Sequence, residues 1–217
     1  MHRGVWVRFS NYAGLIALPF YLALILVLGA LEPGYSHLTM TMSALGGVPG
    51  ARGLAFNLGV GVTGSLIIVF AIGLRRRLSP GWLTQAGAFC LIVGGGGFIG
   101  AALFHCNPDC RNVLAEPTPV GRIHMITALF GGMFSALAPL FFWGAMRRDG
   151  QWRTFATPTL MTGILANLPG VAFWITIATG YRLYSIEGLI QRLGFIFVLI
   201  WMFVATIEFR ARRLQNR

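Results

Sequence analysis

The chain has 217 residues, of which 56% are hydrophobic and 11% charged, and its mean hydropathy is +0.71. A soluble domain carries about 25% charged residues, so this composition excludes an ordinary water-soluble domain and indicates a membrane protein. The net charge of +11 does not point to nucleic acid as a partner, because all seventeen basic residues are arginines in short clusters between apolar segments, without the interleaved aromatic residues of single-strand binders.

Six apolar segments are long enough, or nearly so, to cross the roughly 30 Å of bilayer hydrocarbon as helices. They cover about residues 9–31, 53–74, 83–104, 123–146, 156–179 and 188–207. The sequence therefore predicts an all-α integral membrane bundle of six transmembrane helices, forming one domain over residues 1–217. The first segment also resembles a secretory signal peptide, but its uncharged stretch at residues 9–31 exceeds the usual h-region of about 7–15 residues, so we expect a retained helix.

Small residues line three of these segments and predict close helix packing, because small side chains let helix backbones approach each other in lipid. The glycines concerned are Gly59, Gly61, Gly64, Gly94, Gly95, Gly96, Gly97, Gly100, Gly131 and Gly132. The same faces also allow an oligomer. In the fifth segment, Asn167 is expected to hydrogen-bond a neighbouring helix, and Pro169 to kink its own helix.

The arginines are distributed unequally between the two sides of the predicted bundle. Twelve lie on the side of both termini; the other five are Arg52, Arg111, Arg122, Arg182 and Arg192. Because cytoplasmic loops are enriched in arginine and lysine, both termini are predicted to be cytoplasmic. The absence of lysine indicates GC-rich coding, and therefore a prokaryotic plasma membrane.

The stretch FHCNPDCRNVLAEPTPVGRIHM, residues 104–125, then faces the exoplasmic side, where thiols can stay oxidised. Cys106 and Cys110 are close enough in sequence to form a disulfide, with two free thiols as the alternative. Zinc is the weaker alternative, because structural sites commonly pair C-x₂₋₄-C with H-x₃₋₅-H, whereas His105 adjoins Cys106 and His124 stands alone. We therefore predict no metal and no cofactor.

The prolines of this stretch predict a loop that continues to Ile123. These are Pro108, Pro117 and Pro119.

Two ionisable residues, Arg192 and His124, lie at the outer ends of predicted spans, where an unpaired charge costs a few kcal/mol. Arg192 either extends to the interface or pairs with Glu187 or Asp109. A buried arginine also suits bidentate binding of phosphate or carboxylate. The main hypothesis is therefore that an anionic lipid headgroup, or a similar anion, binds in an exoplasmic pocket. The predicted binding residues are Arg192, Arg122, Arg52, Gln191 and His124. A solvated rim of ion pairs is the favoured alternative for Glu32, Arg52, Arg111 and Glu116.

Two other functions remain open from the residues. In a membrane-embedded lipid hydrolase or transferase, His124 would be the general base, Ser43 or water the nucleophile, and Asp109 a group that orients the histidine. In a small transporter or channel subunit, Asn167 would be the polar residue at the centre of the bundle, although ion pathways usually need more polar groups. Whether the protein is an enzyme is left undecided.

Several motifs resemble those of a known family. TMSALGG at residues 41–47, then Pro49, then FNLG at residues 56–59, is similar to the I-S-x-L-G…P…F-N signature of a bacterial and archaeal family of six-span proteins of unassigned function. GLIQR at residues 188–192 resembles the family's G-L-x-Q-R motif, and His124 matches the histidine that starts its fourth helix.

The resemblance implies six helices and gives weight to Ser43, His124, Gln191 and Arg192 as site residues. It also implies a distant similarity to the damage-regulated autophagy modulator group of eukaryotes. Where the family tends to read G-L-F-P-x-D-P, this chain reads ALFHCNPDC at residues 102–110. This departure makes a metal chemistry shared by the family less expected.

Overall fold

The computed structural model describes residues 2–107, 110, 118–179 and 185–215, without the side chains of residues 2–7, 173–179 and 213–215. These residues form seven helices and no strand. The six long helices are α1 (His2–Leu31), α3 (Ala51–Arg75), α4 (Trp82–Leu103), α5 (Pro119–Arg148), α6 (Arg153–Thr179) and α7 (Glu187–Gln215). The remaining helix, α2 (Ser43–Gly46), is a single turn within the connection between α1 and α3.

The long helices form a closed ring in chain order. Each packs against the next, α7 closes the ring on α1, and α7 also contacts α5. The centre of the bundle is the fully buried Trp201 of α7, whose ring contacts Phe70 of α3 and Phe142 of α5 at centroid distances of 5.8 and 5.6 Å. Its indole N–H donates to Thr159 of α6 at 3.2 Å, so four helices meet at this side chain.

Within the described residues, five helices are long and apolar enough to cross a membrane. These segments are Arg8–Leu31, Ala51–Arg75, Trp82–Leu103, Pro119–Arg148 and Glu187–Arg212. Large apolar side chains such as Leu58, Phe89 and Met161 are exposed on the outside of the bundle, where lipid would cover them. The architecture is that of a multi-pass membrane protein, and the predicted all-α class is confirmed.

Helix α5 begins at Pro119, although the sequence predicted a loop up to residue 123. Proline is well accommodated at the first helical position, because its missing N–H would have no partner there. The Thr118 side chain caps the helix by accepting a hydrogen bond from the Gly121 N–H at 3.1 Å. Pro119 therefore starts a helix, and Arg122 and His124 lie in its first two turns.

The glycine run of α4 is explained by two different neighbours. A Cβ atom on Gly95 would lie 2.5 Å from the carbonyl oxygen of Gly64 on α3, and one on Gly97 would lie 2.6 Å from Cα of Gly131 on α5. A Cβ atom on Gly96 would meet nothing within 4 Å. The predicted close packing at glycines is confirmed inside the chain, while association between chains stays a prediction.

Asn167 bridges two helices, as the sequence predicted. Its side-chain amide donates to the carbonyl oxygen of Ala136 on α5 and to that of Gly163 on α6, both at 2.7 Å. Both amide hydrogens are therefore used within the bundle. Helix α6 continues past Pro169 to Thr179.

At the end of the bundle opposite to the cysteines, Asp149 lies in the connection between α5 and α6 and binds the connection between α3 and α4. Its carboxylate accepts hydrogen bonds from the Ser79 N–H at 3.0 Å, the Ser79 hydroxyl at 2.8 Å and the Gln151 N–H at 3.0 Å. Burial by itself raises the pKa of Asp149, but these bonds and one from the Trp152 backbone outweigh it, so the pKa lies below its usual value. Asp149 thus joins the α3–α4 and α5–α6 connections.

Replacing Gly97 by alanine tests the backbone contact between α4 and α5. We expect Gly97→Ala to lower the free energy of unfolding by about 1–3 kcal/mol, because the helices must move apart. Gly96→Ala makes the same change on the same helix in open space and should not destabilise the protein. Thermal unfolding in detergent measures both. Equal melting temperatures for the two variants would contradict the packing.

Replacing Asp149 by asparagine tests the connection at the opposite end. Because the folded pKa is lowered, the stabilisation by the carboxylate is fully present above pH of about 4 and is lost as the pH falls through the lowered pKa. Asp149→Asn should therefore be less stable than the parent protein at neutral pH, by about 1 kcal/mol. The difference should shrink in acid. A difference that is independent of pH in thermal unfolding would contradict this account.

Candidate functional site

The predicted site residues that the structure describes gather at one end of the bundle, which we term the cysteine end. It consists of the loop at residues 32–50, the cysteine turn at residues 104–107 and 110, and the first turns of α5 and α7. Asp109, the proposed partner of His124 or Arg192, lies outside the described residues.

The motif at residues 188–192 binds the loop to α7. The Leu189 N–H donates to the carbonyl oxygen of Leu38 at 3.0 Å, and the Gln191 side-chain oxygen accepts from the Met42 N–H at 2.6 Å. Gly188 permits this contact, because a Cβ atom there would lie 2.2 Å from the carbonyl oxygen of Met40. The motif is therefore a docking surface for the loop.

Arg192 completes this docking with a buried charge. It is only 5% exposed, and its guanidinium donates to the carbonyl oxygens of His37 and Met40, at 2.5 and 2.9 Å, and to the Tyr35 hydroxyl. It also lies 5.5 Å from the centroid of the Tyr35 ring, within reach of a cation–π attraction. Within the described part of the chain, no carboxylate pairs with Arg192 and its Nε–H has no acceptor.

Tyr35 continues the contact from Arg192 towards the cysteines. Its hydroxyl donates to the carbonyl oxygen of Thr41 at 3.1 Å. The Thr41 hydroxyl in turn donates to the carbonyl oxygen of Cys110 at 3.2 Å. Burial raises the pKa of Tyr35, although the charge and hydrogen bond of Arg192 act in the opposite direction. Burial, and then the charge of Arg192, lower the pKa of His37. His37 is therefore uncharged at neutral pH, and Arg192 is the cation of this cluster.

The cysteine turn packs against the loop from the other side. Cys106 and Cys110 are joined by a disulfide, with Cα atoms 5.6 Å apart, and their side chains are buried together with Ala44. His124 is 4% exposed, and its Nδ1 lies 2.9 Å from the carbonyl oxygen of Ala101 and 2.8 Å from that of Phe104. The histidine therefore binds the C-terminal end of α4.

The remaining predicted site residues have other surroundings. Arg52 forms an ion pair with Glu32 at 3.2 Å and donates to the carbonyl oxygen of Leu31, at the junction of α1 and the loop. Arg122 is exposed on the first turn of α5. Ser43 begins α2, directly before the Ala44 that packs on the disulfide. The expected use of these residues as ligands or catalytic groups stays a prediction.

Tyr35 is the residue of this cluster that the sequence analysis missed. It contacts Arg192, His37 and the backbone of Thr41, and so lies between the charge and the cysteine turn. Its signal in the sequence was weak: a single tyrosine beside Pro33 and Gly34 is equally typical of an interfacial aromatic residue.

One family model, described as "Protein of unknown function (DUF998)", matches residues 15–208. The chain belongs to this family. The DUF998 match includes the loop motif at residues 41–47, His124 and the docking motif at residues 188–192. Comparisons with curated proteins and with solved structures find no match. The expected similarity to the damage-regulated autophagy modulator group stays a prediction.

Gln191 offers a direct test of loop docking. Gln191→Leu leaves the buried Met42 N–H without its acceptor and should lower the free energy of unfolding by about 1–3 kcal/mol. Gln191→Glu keeps an acceptor oxygen on a side chain of the same length, so its free energy of unfolding should fall by less. Thermal unfolding in detergent compares the two variants. If Gln191→Glu is as unstable as Gln191→Leu, the hydrogen bond to Met42 does not hold the loop.

Proposed function

We propose that this membrane protein binds one anionic group, the phosphate of an acidic lipid headgroup, at Arg192 in the cysteine end. The observation that carries the proposal is a buried guanidinium with no carboxylate partner among the described residues. Two carbonyl oxygens, a phenol and an aromatic face solvate the charge but do not neutralise it. Burying an unneutralised charge costs several kcal/mol, so an anion at this position would be bound favourably.

The Nε–H of Arg192 is the donor that this anion takes, because the other two nitrogens already contact the loop. A hydrogen bond between charged groups is shorter and stronger than one between neutral groups. Arg122 and Arg52, exposed at the same end, would add an attractive field rather than direct contacts. Gln191 and His124 would position the loop and the cysteine turn around the anion.

The proposed orientation puts the cysteine end on the exoplasmic side of a prokaryotic plasma membrane, with six spans and both termini cytoplasmic. The arginines support it. Of the arginines whose side chains the structure describes, nine lie towards the end of the bundle opposite to the cysteines. Three lie at the cysteine end, namely Arg52, Arg122 and Arg192. Such an excess is typical of a cytoplasmic face. Helix α6, 27 residues long and packed between α5 and α7, would be the sixth span.

The proposed binding is tested with purified protein in neutral detergent, titrated with phosphatidylglycerol or phosphatidylcholine and followed by native mass spectrometry. We expect selective binding of phosphatidylglycerol, and binding about tenfold weaker in Arg192→Met, as expected for the loss of one charge-assisted hydrogen bond. Arg148→Met removes the same charge at the opposite end and is expected to bind like the parent protein. Inorganic phosphate added as a competitor distinguishes a headgroup site from a free-anion site.

Gln191→Leu is the second control, because it loosens the same loop but keeps the guanidinium. It should lose less affinity for phosphatidylglycerol than Arg192→Met, because the charge that binds the anion remains. Equal binding of the two lipids by the parent protein would contradict the proposal, and so would equal losses in Gln191→Leu and Arg192→Met, since the loop rather than the charge would then control binding.

A further inference from the structure

The fold brings His124 to the two cysteines of the cysteine turn. The sulfur atoms of Cys106 and Cys110 and a ring nitrogen of His124 all lie within 4.8 Å of one another. Cys106 is 0% exposed, Cys110 4% and His124 4%, so the three groups form a buried cluster. In the sequence His124 stands apart from the cysteine pair, and its approach depends on the packing of α5 against the end of α4.

The backbone around His124 fixes which ring nitrogen is able to bind a cation. Nδ1 lies 2.9 and 2.8 Å from two carbonyl oxygens, of Ala101 and Phe104. Carbonyl oxygens only accept hydrogen bonds, so Nδ1 carries the proton and Nε2 carries the lone pair. A histidine that binds a metal in a protein usually has this arrangement, with the other ring nitrogen donating to a backbone carbonyl or a carboxylate.

We propose that reduction of the Cys106–Cys110 disulfide converts this cluster into a Zn²⁺ site. A dithiol reductant supplies two electrons and two protons, the S–S bond breaks, and the reductant leaves as its own disulfide. Binding of Zn²⁺ then displaces the two thiol protons, and the ligands are two thiolates and the Nε2 atom of His124. Two thiolates balance the charge of Zn²⁺, so the buried complex is neutral.

The required movement is small. Ligand atoms around a tetrahedral zinc ion are about 3.5 Å apart, as follows from Zn–S and Zn–N distances of about 2.3 and 2.0 Å. In the cluster the corresponding atoms lie within 4.8 Å of one another, so none has to travel far to reach this spacing. Once the S–S bond is broken, side-chain rotation at Cys106 and Cys110 brings both sulfur atoms to the required positions. Three protein ligands leave the fourth position for water or another small ligand, as in catalytic zinc sites.

The disulfide and the zinc site exclude each other, because both use the same sulfur atoms. The cysteine turn would therefore have two states, set by the thiol–disulfide balance on its side of the membrane. The Thr41 hydroxyl contacts the Cys110 backbone, so the turn remains attached to the loop in either state.

The test uses the full-length protein in detergent, half of it with the disulfide intact and half reduced with a phosphine under nitrogen. After the phosphine is removed, both samples are incubated with Zn²⁺, desalted and analysed for metal. We expect about one Zn²⁺ per chain in the reduced sample and less than about a tenth in the oxidised one. With Co²⁺ in place of Zn²⁺, a thiolate-to-metal charge-transfer band in the near ultraviolet reports sulfur ligation.

Matched variants identify the ligands. Cys106→Ser with Cys110→Ser, and separately His124→Ala, should lose the metal, while Cys90→Ala and His105→Ala should keep it. Because His124 also binds the end of α4, circular dichroism checks the fold of His124→Ala. If that variant does not fold, the double serine variant decides the test. Zinc below about a tenth of an equivalent in the reduced parent protein overturns the proposal. Zinc retained by the double serine variant, or lost in His105→Ala but kept in folded His124→Ala, overturns it as well.

Discussion

The buried guanidinium of Arg192 determines how the cysteine end is built. An arginine has five N–H donors and a permanent charge, and the described groups around it are carbonyl oxygens, a phenol and an aromatic face. Burying such a charge in an apolar bundle without hydrogen-bond acceptors costs free energy. The loop at residues 32–50, which supplies the acceptors, therefore remains packed on α7. Through Tyr35 and Thr41 the loop also holds the cysteine turn. One charge thus connects three separate parts of the chain.

The two ends of the bundle use opposite charges for the same purpose. At the cysteine end a cation organises the loop through backbone carbonyl oxygens, and at the other end Asp149 organises two connections through backbone and hydroxyl donors. The carboxylate of Asp149 accepts hydrogen bonds from two backbone N–H groups and a hydroxyl, whereas the Nε–H of Arg192 has no acceptor among the described residues. That difference is the physical basis for the binding proposed at Arg192.

The sequence predicted the parts of the fold that the bilayer imposes. Helix length, the glycine contacts and the role of Asn167 follow from membrane thickness and from the need to satisfy polar groups in lipid. The site was only partly predictable. Arg192 and Gln191 were conspicuous as polar residues at a helix end, but their partners lie about 150 residues away in sequence. Only the three-dimensional packing shows that Gly188 admits the loop and which carboxylate pairs with Arg52.

Hydrogen exchange measured by mass spectrometry tests the central role of Arg192 most directly. In Arg192→Met, the amides of Met42 and Leu189 should exchange at least about tenfold faster than in the parent protein, because the loop leaves α7. Amides at the glycine contact between α4 and α5 should keep their protection. Unchanged protection of Met42 and Leu189 would show that the loop is held without the guanidinium and would contradict the account.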